Sequence, residues 1–270
     1  MAQLSGNLVE RQREHFNSIA AHYQAARGGT NYVYLNHLLW GALLEDIDRF
    51  RNRPVKVLEP MCGFGDGFFI VKNFLSDQLT YSGYDYSDAV IGMVRQQNPS
   101  LNVWQADATK YDPPSSNFDI VIIIGGLHHV FRHAPEIVAK CARALTPGGL
   151  FISFEPTYGN RITRSVRERI YRTNSLFDAD TERSFAVSEL LNMFRSADLL
   201  PYKIAYPGLL SYVLYFNPDA FPSLNIGSTS CVKALFSLDR LFYRTPIGRF
   251  FSFATLSIWE KSETAQPESS

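Results

Sequence analysis

The middle of this chain alternates short apolar runs with helical segments, and this alternation constrains the fold more than any other feature. Five runs bounded by Gly, Asp or Pro predict strands at 55–58, 80–84, 101–105, 120–124 and 150–154. Strands that alternate with helices form a parallel sheet covered by helices on both faces. The run at 120–124 contains only β-branched residues, as expected of a strand buried on both faces. The sequence therefore predicts an α/β fold with a doubly wound, mostly parallel sheet.

The flanking segments complete the predicted architecture. Helical patterns at 7–27 and 34–50 precede the first strand, and two further strands at 202–206 and 251–260 make the sheet seven-stranded. We divide the chain into an N-terminal helical cap at 1–50, a main α/β domain at 51–262 with substrate-covering insertions at 157–184 and 207–250, and a disordered tail at 263–270.

Composition narrows the class of partner and the compartment. Lys plus Arg equals Asp plus Glu at 26 each, so no overall positive field attracts nucleic acid. The three cysteines form neither a disulfide framework nor a zinc pattern. No signal peptide is recognisable, and no apolar run reaches the roughly 18 residues of a membrane span. We expect a cytoplasmic protein without nucleic-acid or integral membrane contact.

A glycine-rich loop and two aspartates follow the first three predicted strands. Gly63, Gly65 and Gly67 come after the first strand, where glycine lets the backbone turn tightly and approach a ligand. Asp85 ends the second strand, in a position to accept hydrogen bonds from a ribose diol. Asp107 lies just beyond the third, within reach of an exocyclic amine. Because ligands bind beyond the carboxyl ends of parallel strands, these residues together predict a pocket for an adenine nucleoside.

Two details separate this pocket from a nicotinamide site. The nicotinamide fingerprint is G-x-G-x-x-G, whereas this loop reads G-x-G-x-G and has Phe68 where the third glycine would fall. Glu59 closes the strand directly ahead of the glycines. A carboxylate there would repel a pyrophosphate but suits a ligand with an ammonium and a sulfonium. A nicotinamide-dependent oxidoreductase is therefore a disfavoured alternative.

Several successive segments resemble the cofactor motifs of class I S-adenosylmethionine-dependent methyltransferases, in particular the small-molecule and lipid-quinone branch. These segments are Val57-Leu58-Glu59 through Gly67, Gly83-Tyr84-Asp85, Ala106-Asp107-Ala108, Phe118-Asp119-Ile120-Val121 with Leu127-His128-His129-Val130, and Ala144 to Gly149. The resemblance covers residues 55–156 and implies S-adenosylmethionine as cofactor. It implies that cofactor contacts come from Glu59, Met61, Gly63, Gly65, Asp85, Tyr86, Asp107, Ala108 and Gly125, to which we add Tyr23 of the cap.

The chain departs from the family at one cofactor position. The family usually has glycine where Met61 stands, and a side chain there narrows the methionine end of the pocket. Met61 is the one feature that favours a catalytically silent protein that keeps the fold as a scaffold. The family also implies that Tyr86, directly after Asp85, packs on the adenine.

His128 and His129 follow the fourth predicted strand and are the candidate catalytic residues. Methyl transfer from a sulfonium is an in-line displacement that depends mostly on positioning, and a base is needed only when the nucleophile carries a proton. A neutral imidazole suits that role. A loop histidine that donates to a backbone carbonyl is the alternative for each. His133 and Cys141 are near in sequence, but no zinc-like spacing appears, and we predict no metal site.

The two insertions contain residues that suit an acceptor site. Arginines at 161, 164, 167, 169 and 172 suit binding of a carboxylate or phosphate. The simpler interpretation, which we prefer, is an amphipathic helix with Ile162, Val166 and Ile170 inward and the arginines in solvent. The apolar insertion at 207–250 suits a wall around an apolar substrate, with a homodimer face or a membrane-surface contact as alternatives.

We therefore predict methyl transfer from S-adenosylmethionine to an oxygen or nitrogen, less readily a carbon, of a small and largely apolar or aromatic acceptor. Methylation of a nucleic-acid base is disfavoured, because amino-directed enzymes resemble one another in an Asp/Asn-Pro-Pro-aromatic motif after the fourth strand. This chain has Gly125-Gly126-Leu127-His128 there.

Overall fold

A computed structural model describes residues 2–173, 181–216 and 225–263. At its centre lies a sheet whose strands follow the chain in the order β1 (Val55–Pro60), β2 (Leu79–Asp85), β3 (Val103–Gln105), β4 (Phe118–Ile124), β5 (Leu145–Tyr158), β6 (Phe185–Ala186), β7 (Leu199–Ala205) and β8 (Ala254–Lys261).

The spatial order of the sheet is β3-β2-β1-β4-β5-β8-β7. Neighbouring strands from β3 to β5 are parallel, whereas β8 runs antiparallel to both β5 and β7. The two-residue strand β6 pairs with the end of β5 as an addition to the predicted seven. The prediction of a doubly wound, mostly parallel α/β sheet is confirmed, and residues 120–123 of the central strand β4 are fully buried as the β-branched run indicated.

Helices cover both faces of the sheet and its carboxyl edge. They are α1 (Ala2–Ala26), α2 (Thr30–Leu44), α3 (Asp66–Phe74), α4 (Asp88–Gln97), a short 3-10 helix (Leu127–Val130), α5 (Ala134–Ala144), α6 (Arg161–Thr173), α7 (Val187–Arg195), α8 (Leu210–Tyr215), α9 (Thr229–Asp239) and α10 (Pro246–Phe250).

Helix α2 corrects the prediction of a helix at 34–50. It begins at Thr30 and ends at Leu44, although Ile47 and Phe50 beyond it are 1% exposed. Their burial comes from an irregular segment that packs against the core. Hydrophobic spacing reports burial, and it does not distinguish a buried helix from a short buried loop.

Strand β5 is much longer than the predicted run at 150–154. It begins at Leu145 and ends at Tyr158, because residues from Leu150 to Pro156 pair along their length with β8. Glu155 therefore lies inside the strand and is fully buried instead of starting a loop. The pairing partner β8 is distant in sequence, so the local pattern contained no signal for this extension.

The orientation of α6 differs in part from the one we preferred from the sequence: Ile170 is buried and the arginines at 161, 164, 169 and 172 are exposed as expected, but Ile162, Val166 and Arg167 are not placed as expected. Ile162 is 72% exposed, whereas Arg167 on the other face is only 3% exposed. The amphipathic pattern predicted the helix correctly, but the buried face is formed by Thr163, Arg167, Ile170 and Tyr171. On this side Arg167 donates to the carbonyl oxygen of Phe253, a residue distant in sequence, so the local sequence contained no signal for its burial.

Parts of the predicted insertions and tail lie outside the described residues, namely 174–180, 217–224 and 264–270. In the described part of the insertion at 207–250, Tyr212, Val232 and Phe236 are buried and Leu210 and Leu241 are exposed. The alternative of a homodimer face there stays a prediction. Among the described residues, no helix combines the length and apolarity needed to cross a bilayer.

Candidate active site

A cavity lies beyond the carboxyl ends of β1, β2, β4 and β5. Strand β1 pairs with β2 on one side and with β4 on the other, so consecutive connections leave the sheet in opposite directions at this point. Such a switch point opens a crevice at the carboxyl edge of a parallel sheet. The cavity wall also includes residues of α1, α6 and α8, which lie over this edge.

The glycine loop turns the chain from β1 into α3. Gly65 is the residue before α3 and has φ of 80° and ψ of 30°, a left-handed conformation that favours glycine. A side chain at Gly65 would face Leu101 and Tyr81 instead of the cavity. Gly65 is not among the residues that line the cavity, and it shapes the turn; its role as a cofactor contact stays a prediction.

Glu59 holds this loop through hydrogen bonds to its buried carboxylate. Its carboxylate accepts hydrogen bonds from the backbone N–H of Gly67, at 2.9 Å, and from the hydroxyl of Tyr81. Burial raises the pKa of Glu59 to about 8, although the hydrogen bond from Tyr81 opposes that shift. Glu59 lines the cavity, so a cationic ligand group would favour its ionised form.

The close approach of Gly67 to Glu59 yields a stability prediction. A Cβ atom on Gly67 would lie 2.6–2.8 Å from the Glu59 carboxylate group, which is buried and has little room to move. We expect Gly67→Ala to lower the free energy of unfolding by about 1–3 kcal/mol, the usual cost of overpacking a core. Urea denaturation of the two proteins measures the difference.

Gly92 provides the matched control for this substitution. It lies inside α4 and is exposed, and a Cβ atom added to it would have no other atom within 4 Å. Gly92→Ala should raise the free energy of unfolding by about 0.5–1 kcal/mol through helix propensity. Equal effects of the two substitutions would contradict the steric role assigned to Gly67.

Asp85 ends β2 on the cavity wall with both oxygens already anchored. Its Oδ2 accepts the backbone N–H of Gly63 at 3.1 Å, and its Oδ1 accepts that of Ser87 at 2.9 Å. Burial raises the pKa of Asp85 above its ordinary value, while these two N–H groups oppose the shift. The remaining lone pairs of the carboxylate are available to a diol in the cavity.

Tyr86 and Asp107 also line the cavity. The Tyr86 hydroxyl donates to the carbonyl oxygen of Val9 in α1 at 2.7 Å, which attaches the cap to the sheet edge. Asp107 accepts hydrogen bonds from the backbone and hydroxyl of Thr109, at 2.9 and 2.7 Å. Partial burial acts to raise the pKa of Asp107, but these hydrogen bonds and Lys110 lower it overall.

Met61 occupies the position where the family usually has glycine, and its backbone adopts a conformation that favours glycine. Its φ is 53°, in the left-handed region that residues with a side chain adopt at a cost of about 1–3 kcal/mol. A Cβ atom on Gly126 would lie 3.0 Å from the Met61 side chain, so that side chain packs across the loop after β4. It lines the cavity without closing it.

The cavity thus brings together most of the residues predicted from the sequence. The predicted cofactor residues on its wall are Tyr23, Glu59, Met61, Gly63, Asp85, Tyr86, Asp107, Ala108 and Gly125, and both candidate catalytic residues, His128 and His129, are also there.

His128 lies in the 3-10 helix after β4 and is oriented by Glu155. The Glu155 carboxylate accepts the backbone N–H groups of Gly126, Leu127 and His128, and its Oε2 is 3.0 Å from His128 Nδ1. When Glu155 is ionised its carboxylate only accepts hydrogen bonds, so in that state Nδ1 carries the imidazole hydrogen and Nε2 keeps its lone pair. Burial holds the pKa of His128 well below its usual value, with the neighbouring His129 adding to the shift.

His129 forms a different pair with Glu182. Its Nδ1 is 3.3 Å from Glu182 Oε1 and 2.7 Å from the side-chain nitrogen of Gln12, which also donates to Glu182 at 3.0 Å. Burial opposes charge on both groups. The pair nevertheless raises the pKa of His129 and lowers that of Glu182 to about 2, because each charge stabilises the other.

Among the described residues, His128, His129 and Glu182 also form a group whose ligand atoms lie within 4.8 Å of one another and could hold a metal ion. The group differs from the His133 and Cys141 considered from the sequence. The contact of His128 Nδ1 with Glu155 is the kind of support that a ligating histidine usually has. The prediction of no metal site therefore needs a direct test with a chelator.

Sequence reasoning missed several residues of this wall. Glu155 would have been predicted from the rule that ligands bind at the carboxyl ends of parallel strands if β5 had been predicted at its full length. Tyr171 comes from the buried face of α6 and had no local signal in the sequence. Arg167 of the same helix was named from the sequence only as an alternative contact of the acceptor, and the insertion at 207–250, which contributes Tyr212 and Phe216, was named as a substrate wall.

Comparison with known proteins relates the middle of the chain to one family. Residues 57–149 match the family described as methyltransferase domain. This part of the chain is similar to methyltransferase domains. This match lies between β1 and the turn within β5, and therefore includes the glycine loop, Asp85, Asp107 and the two histidines. The resemblance to S-adenosylmethionine-dependent methyltransferases is confirmed.

A probable S-adenosylmethionine-dependent methyltransferase of Mycolicibacterium smegmatis is 28% identical over 152 residues, which are 53% of this chain and 56% of that protein. The chain thus matches about half the length of this curated relative.

Two solved methyltransferases share the fold. One, an S-adenosylmethionine-dependent methyltransferase of Thermotoga maritima, has a TM-score of 0.62 at 14% identity over 93% of this chain and 100% of its own. Phosphoethanolamine N-methyltransferase 2 of Haemonchus contortus was solved with S-adenosyl-L-methionine. It has a TM-score of 0.60 at 15% identity, and the match covers 93% of this chain and 60% of that protein.

Proposed function

We propose that this protein transfers the methyl group of S-adenosylmethionine to an oxygen or nitrogen of a small, largely apolar acceptor. The observation that carries the proposal is one cavity at the switch point of the sheet, lined both by the carboxylates of Asp85 and Asp107 and by His128, a histidine in contact with the Glu155 carboxylate. Methyltransferase homologues with the same domain support it.

The residues present suit the cofactor. Asp85 has free lone pairs for the ribose hydroxyls, Tyr86 offers a ring for the adenine, and Asp107 an acceptor for its amine. Glu59 and the glycine loop lie where the methionine portion would pass, and a buried carboxylate there favours a cation. S-adenosylmethionine supplies an electrophilic methyl group on a sulfonium, and holding the reactants in line accounts for most of the acceleration.

His128 is the group we assign as base. Its Nε2 accepts the proton that the acceptor hydroxyl or amine loses as it is methylated, and Glu155 stabilises the resulting imidazolium through Nδ1. His129 is less suited, because its pairing with Glu182 raises its pKa and favours the protonated form. Glu155 acts as a positioning residue, and burial raises its own pKa to about 7 against three backbone hydrogen bonds.

The apolar part of the cavity wall supports an apolar acceptor. Phe154, Tyr212 and Phe216 line the cavity beside Phe16 and Val130. Aromatic side chains bury apolar ligands with little loss of side-chain entropy. We accordingly propose a small apolar or aromatic acceptor, enclosed by the helical cap at 1–50 and by the insertions at 157–184 and 207–250.

Calorimetric titration of S-adenosylhomocysteine, with NAD as a second ligand, tests the proposal. We expect S-adenosylhomocysteine to bind at micromolar or lower concentration and NAD to bind at least a hundredfold more weakly, because Glu59 repels a pyrophosphate. A preference for NAD would assign an oxidoreductase. Tight binding of S-adenosylhomocysteine without methyl transfer to any of a broad set of acceptors would favour the silent-scaffold alternative raised by Met61.

A further inference from the structure

Arg167 is a buried guanidinium on the acceptor side of the cavity. It lies on the buried face of α6, is 3% exposed, and lines the cavity. Its Nη2 donates to the carbonyl oxygen of Phe253, and its guanidinium lies 5.6 Å from the ring centroid of Phe253. Its Nε has no hydrogen-bond partner among the described residues.

These contacts leave the charge of Arg167 without a counterion. Throughout the described residues, no carboxylate forms an ion pair with it, whereas Arg164 on the exposed face of the same helix pairs with Glu168. A buried guanidinium cannot lose its proton, and a buried charge without a partner is strongly destabilising. One carbonyl and one ring fix the orientation of Arg167, but they do not balance its charge.

The neighbouring groups restrict which anion would balance it. Tyr171, one turn after Arg167 on the buried face of α6, stacks on His128 with ring centroids 6.5 Å apart, and all three residues line the cavity, so Arg167 shares the wall of the proposed base. Two buried carboxyl groups, Glu155 and Glu182, contact His128 and His129 respectively, and neither forms an ion pair with Arg167 among the described residues. They would repel a doubly charged phosphate, whereas a singly charged carboxylate matches one guanidinium and fits its planar fork.

We propose that Arg167 binds a carboxylate of the acceptor, so that the substrate is a small apolar acid methylated at a separate hydroxyl or amine near His128. This inference rests on the proposed function and specifies its substrate class. It also explains why α6 buries an arginine and leaves Ile162 and Val166 in solvent. The hydrophobic effect alone would favour the opposite face.

Matched neutral and anionic probes test the assignment by calorimetry. Benzoate and benzamide have the same shape, and both are titrated with and without saturating S-adenosylhomocysteine. We expect wild-type protein to bind benzoate at least tenfold more tightly than benzamide. In Arg167→Gln this preference should fall to less than twofold, and Arg167→Lys should retain part of it because the charge remains. Arg169→Gln, an exposed arginine on the same helix, should keep the full preference.

Several outcomes would overturn the proposal. Equal binding of benzoate and benzamide to wild type would do so, as would a loss of preference in Arg169→Gln as large as that in Arg167→Gln. Tighter binding of phenyl phosphate than of benzoate would overturn the carboxylate assignment. A purely structural Arg167 would lower the melting temperature on substitution and leave the benzoate-to-benzamide ratio unchanged. Failure of S-adenosylhomocysteine to bind would refute the proposed function separately, since the probes are also titrated without it.

Discussion

His128→Gln should lower the rate of methyl transfer by about 10²–10⁴-fold, the usual contribution of a positioned general base. Glutamine can still donate to Glu155, so the local structure is retained, but it offers no basic nitrogen. The affinity for S-adenosylhomocysteine should change by less than about twofold, because the cofactor acids are untouched. Single-turnover transfer of a labelled methyl group to an acceptor found by screening measures the rate.

The pH profile adds a second readout for His128. Burial keeps its pKa well below 6.5, so the imidazole is neutral and active throughout the neutral range. Titration of His128 should therefore leave the wild-type rate unchanged as the pH drops to 6.5. Protonation of His128 should lower the rate only when the pH approaches the lowered pKa of this residue. The nearby groups that also titrate are Glu155, His129 and Glu182.

Controls distinguish a base from its neighbours. His22→Gln, on the exposed side of α1, should leave the rate unchanged. A large loss in His129→Gln with none in His128→Gln would show that the base is misassigned, and unchanged rates in both would rule out a histidine base. Loss of activity on treatment with a chelator, with recovery on addition of a divalent cation, would show that His128, His129 and Glu182 bind a metal ion.

Asp85→Ala should weaken the binding of S-adenosylhomocysteine by more than tenfold, or about 1.4 kcal/mol. The substitution removes the acceptor for the ribose diol. It also removes the anchor of the Gly63 and Ser87 backbone N–H groups, so the glycine loop loses support from β2. Titration calorimetry on both proteins measures the change.

Asp77→Ala is the matched control for Asp85. Asp77 is exposed in the turn before β2, at the opposite end of that strand from the cavity. The Asp77→Ala protein should bind S-adenosylhomocysteine with the same affinity as the wild type. If Asp85→Ala keeps wild-type affinity, the ribose must lie elsewhere in the cavity, and the assignment of Asp107 to the adenine amine would fall with it.

The cofactor side of the site was predictable because its residues are local to the strands that present them. Asp85 ends β2, and Gly63 lies a few residues after β1. The rule that parallel strands point their carboxyl ends to one edge then brings them together without further information. Gly65 shows the limit of that argument, since the backbone turns its Cβ position toward Leu101 and away from the cavity.

The acceptor side was only partly predictable. His128 and His129 were located from their place after β4, but the opposite shifts of their pKa values were not, because burial lowers that of His128 and the pairing with Glu182 raises that of His129. Glu155 sits in a strand whose length is set by pairing with β8. A carboxylate that decides which imidazole is neutral has no signature in the histidine motif itself.

The sequence by itself determined the alternation of strands and helices, the edge of the sheet at which the cavity opens and the acids on its wall. Those features depend on local hydrophobic period, glycine spacing and the direction of parallel strands. Only the tertiary structure decided that Gln12 meets Glu182, 170 positions away, and that α6 turns Arg167 inward. Such contacts depend on how distant helices pack, and the stability of a buried charge depends on neighbours that the local sequence does not contain.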